Sequence, residues 1–500
     1  MGRIGLLRVG NKTLETPCLL PVVHPVNQAV SIDQLTEMGF RGLMTNSYII
    51  RSRRREEALK NGIHNLLAFD GILMTDSGGY QVLEYGDLEV GYKEIASFQS
   101  SIKSDLAVTL DRPTGYPQSR RVAKETVEYS LNNATATMEE YRNTETTWIG
   151  PIQGGLYLDL VAKSAKSLWK AGFEVMALGS PVQVMENYMF PELVKMVVAA
   201  RMSIPYSVPL HLFGAGHPLT MALAIALGCD TFDSASYILF ARNGRFMSKT
   251  GVLSLDSMKY LPCSCPICAK TDLKKLREAD KRERTRKVAT HNLYILKEEI
   301  ETCKEAIAEG RLWDLVEERS MAHPRLREAF FELARNQNRL KEGTPLLKDR
   351  GLMLRSTHDQ IRPELTLARM RLRRVMQRST RYAILEASWD SVPMIKKRPR
   401  NVGSKGFDIY RIHPALGLYP AELDFIYPFT QVVIAEDTQL KLSPMEAALQ
   451  LRQMGYSSVK VTPEAVSHLN LKRVRSRRTR LGASPFPRSS SAPPRSLQPP

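Results

Sequence analysis

The sequence has few cysteines and no long apolar segment. No run of apolar residues reaches the length that a transmembrane helix requires. Met1 to Gly10 contains no apolar stretch that leads to a small-residue cleavage site, so we predict no signal peptide and no membrane partner. Only six of the 500 residues are cysteines, and half of these lie in one cluster, which fits a reducing compartment. We therefore expect a cytoplasmic protein.

Acidic residues are scarce relative to basic ones. Lys and Arg together number 70 and Asp and Glu 52, which gives a formal net charge of +18. A protein with such an excess most often meets a polyanion, and nucleic acid is the first candidate. A membrane surface is the weaker alternative, because no long basic amphipathic helix stands out. The length suggests two or three domains.

Three cysteines and a histidine form the clearest motif. Cys263, Cys265, Cys268 and His291 follow the spacing C-x-C-x2-C-x22-H. This is the ligand set of a closed, four-coordinate structural zinc site, so we predict one structural Zn²⁺ per chain. The alternative is a chance cluster of thiols, which the helix-like run after the cluster disfavours because it would hold the histidine within reach. Because a closed site has no open coordination position, catalysis is expected from other side chains.

The first 240 residues alternate short apolar runs with longer helix-like segments. Eight apolar runs are the predicted strands: Cys18–Val23, Gly42–Tyr48, Ile72–Thr75, Leu106–Leu110, Thr147–Ile152, Phe173–Leu178, Val208–Phe213 and Thr231–Phe232. Alternating strands and helices predict a parallel sheet. Eight such units match the size of a (β/α)8 TIM-like barrel, with a doubly wound open sheet as the competing fold.

Composition changes beyond the eighth run. We predict a barrel domain over residues 1–255, a zinc-binding and helical part that completes it over 256–340, and a smaller basic α+β domain over 341–470. In that domain Phe425–Ala435 is a predicted strand pair and Pro444–Met454 a predicted helix. Residues 471–500 are rich first in Arg and then in Pro and Ser, and we expect them to be disordered. A dense basic track precedes them at Arg369, Arg371, Arg373, Arg374, Arg378 and Arg381.

Polar residues follow the predicted strands. In a barrel these positions converge on one face, where active sites lie. Asp76, Asp111 and Asp233 each follow or end a strand, and Gln153 follows another. A single Asp after a strand is often only the N-cap of the next helix, so the argument rests on their coincidence. Nearby glycines, such as Gly179, would let a flat ligand approach the main chain.

These residue types suit one kind of chemistry. Two carboxylates can cleave a glycosidic bond, one as the nucleophile and the other in proton transfer. A third carboxylate with an amide can pair with the donor edge of a guanine-like base. Tyr80 offers a ring on which the base could stack.

With these motifs the chain resembles the tRNA-guanine transglycosylases. The motifs that carry the resemblance are Asp76-Ser-Gly-Gly-Tyr-Gln, Leu110-Asp-Arg-Pro-Thr, Ile152-Gln-Gly-Gly, His211-Leu-Phe-Gly-Ala-Gly-His-Pro, Phe232-Asp-Ser-Ala-Ser-Tyr and Pro262-Cys-Ser-Cys-Pro-Ile-Cys with His291. Several of them look most similar to the archaeal branch. That branch exchanges guanine at position 15 of the tRNA D-arm for 7-cyano-7-deazaguanine (preQ0) in archaeosine biosynthesis.

The resemblance implies a role for each site residue. Asp233 would be the nucleophile that forms a covalent intermediate with the ribose, and Asp76 the general acid and base. The implied base-binding residues are Asp111, Gln153, Gly179, Tyr80 and Ser77. The zinc site would brace the region that touches RNA. Members of this family commonly form homodimers.

The resemblance leaves alternatives open. We find no match to the PUA-type RNA-binding module of archaeal members, so we expect either a separate PUA-type chain or a substitute role for the arginines. A queuine-type enzyme acting at the anticodon wobble position is the second candidate. A non-catalytic RNA-binding subunit would have lost catalysis, whereas Asp76 and Asp233 are both present. A barrel glycosidase or metal-dependent hydrolase is disfavoured by the sulfur-rich metal set.

Overall fold

A computed structural model describes most of the chain. The described residues are 2–79, 91–345, 348, 350–376, 382–386, 407–424, 426–429, 431–435 and 442–462. Predictions for Tyr80, Arg378, Arg381 and the tail 471–500 lie outside them. The chain divides into two compact units, Met1–Arg350 with Arg362–Glu364, and Gly351–Ile361 with Leu365–Pro500. The domain boundaries given for the sequence stay predictions.

An eight-stranded parallel barrel forms the first unit, after an antiparallel hairpin of β1 (Gly5–Val9) and β2 (Lys12–Thr16). The barrel strands are β3 (Cys18–Pro21), β4 (Gly42–Asn46), β5 (Ile72–Asp76), β6 (Leu106–Val108), β7 (Thr147–Ile152), β8 (Val175–Leu178), β9 (Leu210–Leu212) and β10 (Thr231–Ser234). Their order is β3-β10-β9-β8-β7-β6-β5-β4. The bridge between Val22 and Met44 joins the two ends, and the Val23 amide donates to the Met44 carbonyl at 2.8 Å. The predicted (β/α)8 barrel is therefore confirmed, and the competing doubly wound open sheet is not the fold of this unit.

Helices alternate with these strands. They are α1 (Ile32–Glu37), α2 (Ser47–Arg53), α3 (Arg55–Leu67), α4 (Tyr92–Ser101), α5 (Arg120–Tyr141), α6 (Leu158–Lys170), α7 (Pro181–Glu186), α8 (Phe190–Arg201), α9 (Pro218–Leu227) and α10 (Ser236–Arg242). Local sequence explains their starts: Ser31 forms a capping box with Gln34 ahead of α1, and Pro218 occupies the first turn of α9. In the described part of the chain, no helix is both long enough and apolar enough to cross a membrane.

The barrel interior is filled with apolar side chains. Inward-facing residues such as Met44, Met74 and Val108 form one buried cluster with Leu7 and Leu14 of the hairpin. Gly42, the first residue of β4, lies against the Leu14 side chain. The hairpin therefore packs at the end of the barrel where the strands begin, and the opposite end carries the polar residues.

A hairpin and a helical layer complete the first unit. Strands β11 (Arg245–Ser248) and β12 (Gly251–Ser254) follow α10. The helices after them are α11 (Leu273–Glu278), α12 (Lys281–Ala308), α13 (Leu312–Ser320), α14 (Pro324–Arg335) and α15 (Gln337–Glu342). Buried residues of α12, including Leu293 and Leu296, belong to the large cluster that also contains Ile225 of α9. The long helix is thus part of the barrel's outer layer.

The second unit is a small α+β fold. A four-stranded sheet has the order β16 (Gly417–Pro420), β15 (Asp408–His413), β14 (Tyr382–Leu385), β18 (Ser458–Val461), and β13 (Leu352–Leu354) pairs with β17 (Val432–Ile434). Its helices are α16 (Pro363–Val375), most of which lies in this unit, and α17 (Pro444–Gln453).

The predicted strand pair over Phe425–Ala435 is wrong. Among the described residues of that stretch only β17 is a strand. Ahead of it the Phe429 amide donates to the Ile426 carbonyl at 2.9 Å and the Gln431 amide to the Pro428 carbonyl at 3.1 Å, which is the hydrogen bonding of turns. Pro428 lies in these turns and has no N–H with which to join a ladder.

Candidate active site and metal centre

The predicted site residues meet at one end of the barrel. Asp76 is the last residue of β5, and Asp233 lies in β10. Gln153 and Gly179 directly follow β7 and β8, and Asp111 lies just beyond β6. All five are at the carboxyl ends of parallel strands, where barrel enzymes hold their chemistry.

Asp233 is buried and held by two donors. The Gly214 amide donates to its Oδ1 at 2.8 Å, and His211 Nε2 lies 3.0 Å from the same oxygen. Because a carboxylate only accepts, Nε2 carries the proton, and His211 Nδ1 lies 2.9 Å from the Thr231 hydroxyl. Both of these donors bind Oδ1, and among the described residues none donates to Oδ2, which is the oxygen that can face a reacting group.

Asp76 is held by the strand beside it. Asn46, paired with it in the ladder, donates from Nδ2 to Asp76 Oδ2 at 2.9 Å, and its own Oδ1 caps α2 through the Ile49 amide. Burial, with the charges of Asp111 and Asp233, raises the pKa of Asp76 to about 7 against opposing backbone hydrogen bonds. A carboxyl group with this pKa can both give and take a proton near neutral pH.

Asp111 and Gln153 form a second buried group. Gln153 Nε2 donates to Asp111 Oδ2 at 2.6 Å. Burial raises the pKa of Asp111 to about 6, although the hydrogen bond from Gln153 opposes the shift. The pair places an acceptor and an amide donor side by side in the same site.

Close approach of the main chain requires small residues around this pair. A Cβ on Gly79 would lie 2.3 Å from Asp111 Oδ1, and a Cβ on Gly179 would lie 2.2 Å from Gln153 Nε2. Both positions therefore need glycine. Ser77 is fully buried beside Asp111. Its hydroxyl lowers the pKa of the Asp111 carboxyl group, although no hydrogen bond of ordinary geometry joins the two. The structure thus brings together the predicted catalytic and base-binding residues at this end, except Tyr80, which lies outside the described residues.

Sequence reasoning did not assign three residues that lie at this end. His211 contacts Asp233, and Asn46 contacts Asp76. Phe213 is half-buried against the barrel interior and meets the His211 ring edge-on, with 5.0 Å between centroids. Asn46 ends a predicted strand in the same way as Asp76, a signal that could have found it. His211 and Phe213 stand in one of the motifs that carry the family resemblance.

The four predicted metal ligands form one cluster. One ligand atom from each of Cys263, Cys265, Cys268 and His291 lies within 4.8 Å of all the others. His291 Nδ1 is 3.5 Å from the sulfur atoms of both Cys265 and Cys268. Tetrahedral zinc with Zn–S of about 2.3 Å and Zn–N of about 2.05 Å would place sulfur and nitrogen about 3.6 Å apart. The donor set therefore fits a four-coordinate metal ion.

The surroundings prepare this cluster for a cation. His291 Nε2 lies 2.8 Å from the Met247 carbonyl, which keeps the proton on Nε2 and leaves Nδ1 as the ligand. Phe246 stacks on the imidazole at 3.4 Å. The Cys268 thiol lowers the pKa of Cys265 to about 3, whereas the same contact raises the pKa of Cys268. The three sulfur atoms can therefore all be thiolates only with a positive ion between them.

The arrangement at the barrel end can support substitution at a carbon that bears a nitrogen base. A buried carboxylate with one fixed oxygen can attack, and a carboxyl group with a pKa of about 7 can move the proton. The metal cluster has no open ligand position, so these steps depend on side chains.

Comparison with known proteins agrees with this chemistry. The family model described as queuine tRNA-ribosyltransferase matches residues 1–325. A tRNA-guanine(15) transglycosylase of Sulfolobus acidocaldarius is 36% identical over 435 residues, which cover 86% of each chain. The protein of that name from Methanopyrus kandleri is 40% identical over 85% of this chain and 92% of its own. The one from Aeropyrum pernix is 43% identical over 69% and 67%.

Proposed function

This chain belongs to the tRNA-guanine transglycosylase family, and from that membership we propose that it exchanges guanine at position 15 of tRNA for preQ0. One observation carries the proposal: Asp76 and Asp233 lie at the same end of the barrel, close enough for the charge of Asp233 to raise the pKa of Asp76. Relatives of 36–40% identity over most of both chains support position 15, because they are named for it.

The first half of the exchange releases guanine. Asp233 Oδ2 attacks ribose C1′, and the C1′–N9 bond breaks with its electron pair moving to the base. Asp76, protonated near neutral pH, gives its proton to the departing guanine. The product is an ester between Asp233 and the ribose, with the tRNA backbone intact.

The second half reverses these steps with a different base. Asp76, now ionised, takes the N9 proton of the incoming 7-deazaguanine, whose N9 attacks C1′. The bond between C1′ and the Asp233 oxygen then breaks and restores the carboxylate. One N-glycosidic bond replaces another, so the exchange needs no external energy source.

Base recognition falls to the buried pair. Asp111 would accept the N1–H and N2–H groups of a guanine-type base, and the amide of Gln153 would donate to its O6. The main chain at Gly179 would lie close to the ring. Phe213 and Tyr80 would supply the aromatic faces on which the base stacks. The groups that these residues would bind are O6, N1–H and N2–H, which guanine and preQ0 share, and the C7 nitrile of preQ0 is not among them.

Zinc is the metal that we propose for the cluster of Cys263, Cys265, Cys268 and His291. Three thiolates and one imidazole at tetrahedral spacing are typical of structural zinc. The ion would hold the loop that carries the three cysteines to α12, which carries His291. It takes part in no chemical step.

The partners follow from the activity. We infer that the macromolecular substrate is tRNA, that the chain works as a homodimer, and that a separate PUA-type chain or the basic track strengthens tRNA binding. A queuine-type exchange at the anticodon wobble position would use the same catalytic residues at a different nucleotide, and is the second candidate because the matched family model carries the queuine description.

Base release tests this function. The substrate is tRNA that carries labelled guanine only at position 15, mixed with protein and preQ0. We expect release of the label with the protein and none with the Asp233→Ala variant. Release from tRNA labelled only at the wobble position would favour the queuine-type activity, and no release from either tRNA would count against exchange.

A further inference from the structure

The amide of Gln153 is fixed in one orientation by residues from two other loops. Its oxygen accepts from the Thr114 amide at 3.0 Å and from the Ser180 hydroxyl at 2.9 Å. Its nitrogen donates to Asp111 Oδ2 at 2.6 Å. A backbone N–H can only donate, so the amide oxygen must face Thr114.

The two hydroxyl groups beside the amide are fixed in turn. Ser180 Oγ accepts from the Gly115 amide at 3.2 Å, so its proton is free to point at Gln153. Thr114 Oγ1 accepts from the Gly154 amide at 3.0 Å and lies 2.9 Å from Thr126 Oγ1. Because Thr126 Oγ1 donates to the Ala123 carbonyl, the Thr114 hydroxyl donates to Thr126 and holds the loop in place. The donors to the almost fully buried Gln153 side chain are therefore the Ser180 hydroxyl and the Thr114 backbone amide.

Space and backbone conformation also oppose rotation of the amide. The Gly179 main chain lies so close that even a Cβ there would be 2.2 Å from Gln153 Nε2. Ser180 adopts a left-handed conformation with φ of 62°, a cost that a non-glycine residue accepts only where its surroundings require it. That conformation places the Ser180 hydroxyl between Gly115 and Gln153.

We propose that Ser180 and Thr114 are specificity-determining positioning residues, which lock the Gln153 amide so that it can only donate to the base. Both lone pairs of the amide oxygen are used, which leaves one N–H of the amide for the ligand. A base with an oxygen at C6 matches that donor, and a base with a 6-amino group meets two donors face to face. The inference rests on the proposed function, because it assigns the contact to the exchanged base.

The test compares guanine with 2,6-diaminopurine, which carries an amino group at C6. In the Ser180→Ala variant the amide oxygen keeps the Thr114 donor but loses the Ser180 donor, so turning the oxygen to the base costs one hydrogen bond fewer than in wild type. We expect the KM for guanine to rise roughly tenfold, with no weakening of the Ki for 2,6-diaminopurine as a competitor of guanine exchange. The mismatch between Asp111 and the unprotonated N1 of this purine is the same in both proteins and cancels in the comparison.

A matched control separates the lock from general loosening. Ser164 is also buried and its hydroxyl accepts from the backbone amide of Gln153, but it does not touch the side-chain amide. Ser164→Ala should leave the ratio of KM to Ki unchanged. If Ser180→Ala does not fold, Thr114→Val, which keeps the backbone donor and removes the hydroxyl, should shift the ratio in the same direction by a smaller factor.

Three results would overturn the inference: an unchanged ratio in both lock variants, an equal weakening of both bases, or the same shift in Ser164→Ala. Failure of the proposed function is a separate outcome, because wild-type protein would then exchange no guanine before any variant is made.

Discussion

At the scale of single residues, three carboxyl groups share one end of the barrel in different surroundings. Asp233 accepts hydrogen bonds from a backbone amide and from His211, and Asp111 accepts one from the side chain of Gln153. The charges of both raise the pKa of Asp76. Neighbouring carboxyl groups with distinct environments can take distinct proton-transfer roles. This supports attack by Asp233 and proton transfer by Asp76.

The pKa of Asp76 predicts opposite pH profiles for the two half-reactions. Guanine release needs the protonated acid, so its kcat/KM for tRNA should fall about tenfold per pH unit above about pH 7. Capture of the incoming base needs the ionised form and should slow below about pH 7. Single-turnover rates of each half-reaction between pH 5 and 9 measure both. Two parallel profiles would contradict the assignment.

Stability gives an independent check on the same group. The folded-state pKa of Asp76 lies above its ordinary value of 3.8, so the folded protein binds the extra proton. Its contribution to stability is therefore lost as pH rises from about 4 to about 7. The Asp76→Asn variant lacks this ionisable group. Between about pH 4 and about pH 7 its unfolding free energy should therefore rise by roughly 2–4 kcal/mol relative to that of wild type, as measured by denaturant titration. Equal pH dependence in both proteins would show an ordinary pKa.

His211 is expected to position the nucleophile. Its Nε2–H bonds Asp233 Oδ1, and a hydrogen bond to a charged group contributes about 1.5–3 kcal/mol. His211→Phe should slow formation of the covalent intermediate roughly 10- to 100-fold with little change in KM. His211→Gln, which keeps a donor, should recover part of the rate. A wild-type rate in the Phe variant, or no difference between the two variants, would show that His211 only fills space.

At the scale of elements, the metal cluster connects the loop that carries Cys263, Cys265 and Cys268 with α12. Cys265→Ser should remove bound metal and lower the melting temperature, because a structural metal contributes its binding free energy to folding. Turnover per folded molecule should stay near that of wild type. Metal content, thermal melting and active-site titration measure these quantities. Cys303→Ala is the matched control, since this cysteine is buried in the same helix outside the cluster. A metal-free variant that melts like wild type would remove the structural role.

The elements also show what the sequence could predict. All eight barrel strands can be predicted from their apolar runs, because a short buried run between two helices is typical of a parallel strand. Contacts between loops cannot be predicted in this way. The approach of His211 to Asp233 depends on the register in which Thr231 pairs with His211, and the Gln153 lock joins three loops far apart in sequence. These contacts exist only once the barrel closes.

In the basic track the sequence does not reveal which arginines are exposed. Composition groups Arg369 with its neighbours, but in the structure it is partly buried and donates to the Gln360 and Ala415 carbonyls. Burial lowers its pKa. Arg371, Arg373 and Arg374 are exposed on α16. Spacing alone could not separate these roles, because each arginine's environment is set by residues distant in the chain.

At the scale of the whole molecule, the net charge of +18 is expected to attract the negatively charged tRNA backbone. Replacing the exposed Arg371, Arg373 and Arg374 with Ala should weaken tRNA binding and lower the slope of log K against log salt concentration by about 2 to 3. Fluorescence titrations from low to physiological salt measure the slope. The matched control removes three exposed lysines of α6, Lys163, Lys166 and Lys170. Equal slopes in the two variants would indicate a general charge effect without a defined contact.

The proposed exchange depends above all on a covalent bond between Asp233 and the ribose of nucleotide 15. The most direct measurement is mass spectrometry of the adduct obtained by rapid denaturation of protein mixed with unmodified tRNA in the absence of free base. We predict one adduct, which joins the peptide containing Asp233 to a ribose that has lost its guanine at position 15. An adduct on another residue would contradict the assignment of the nucleophile, and an adduct at the wobble nucleotide would contradict the position.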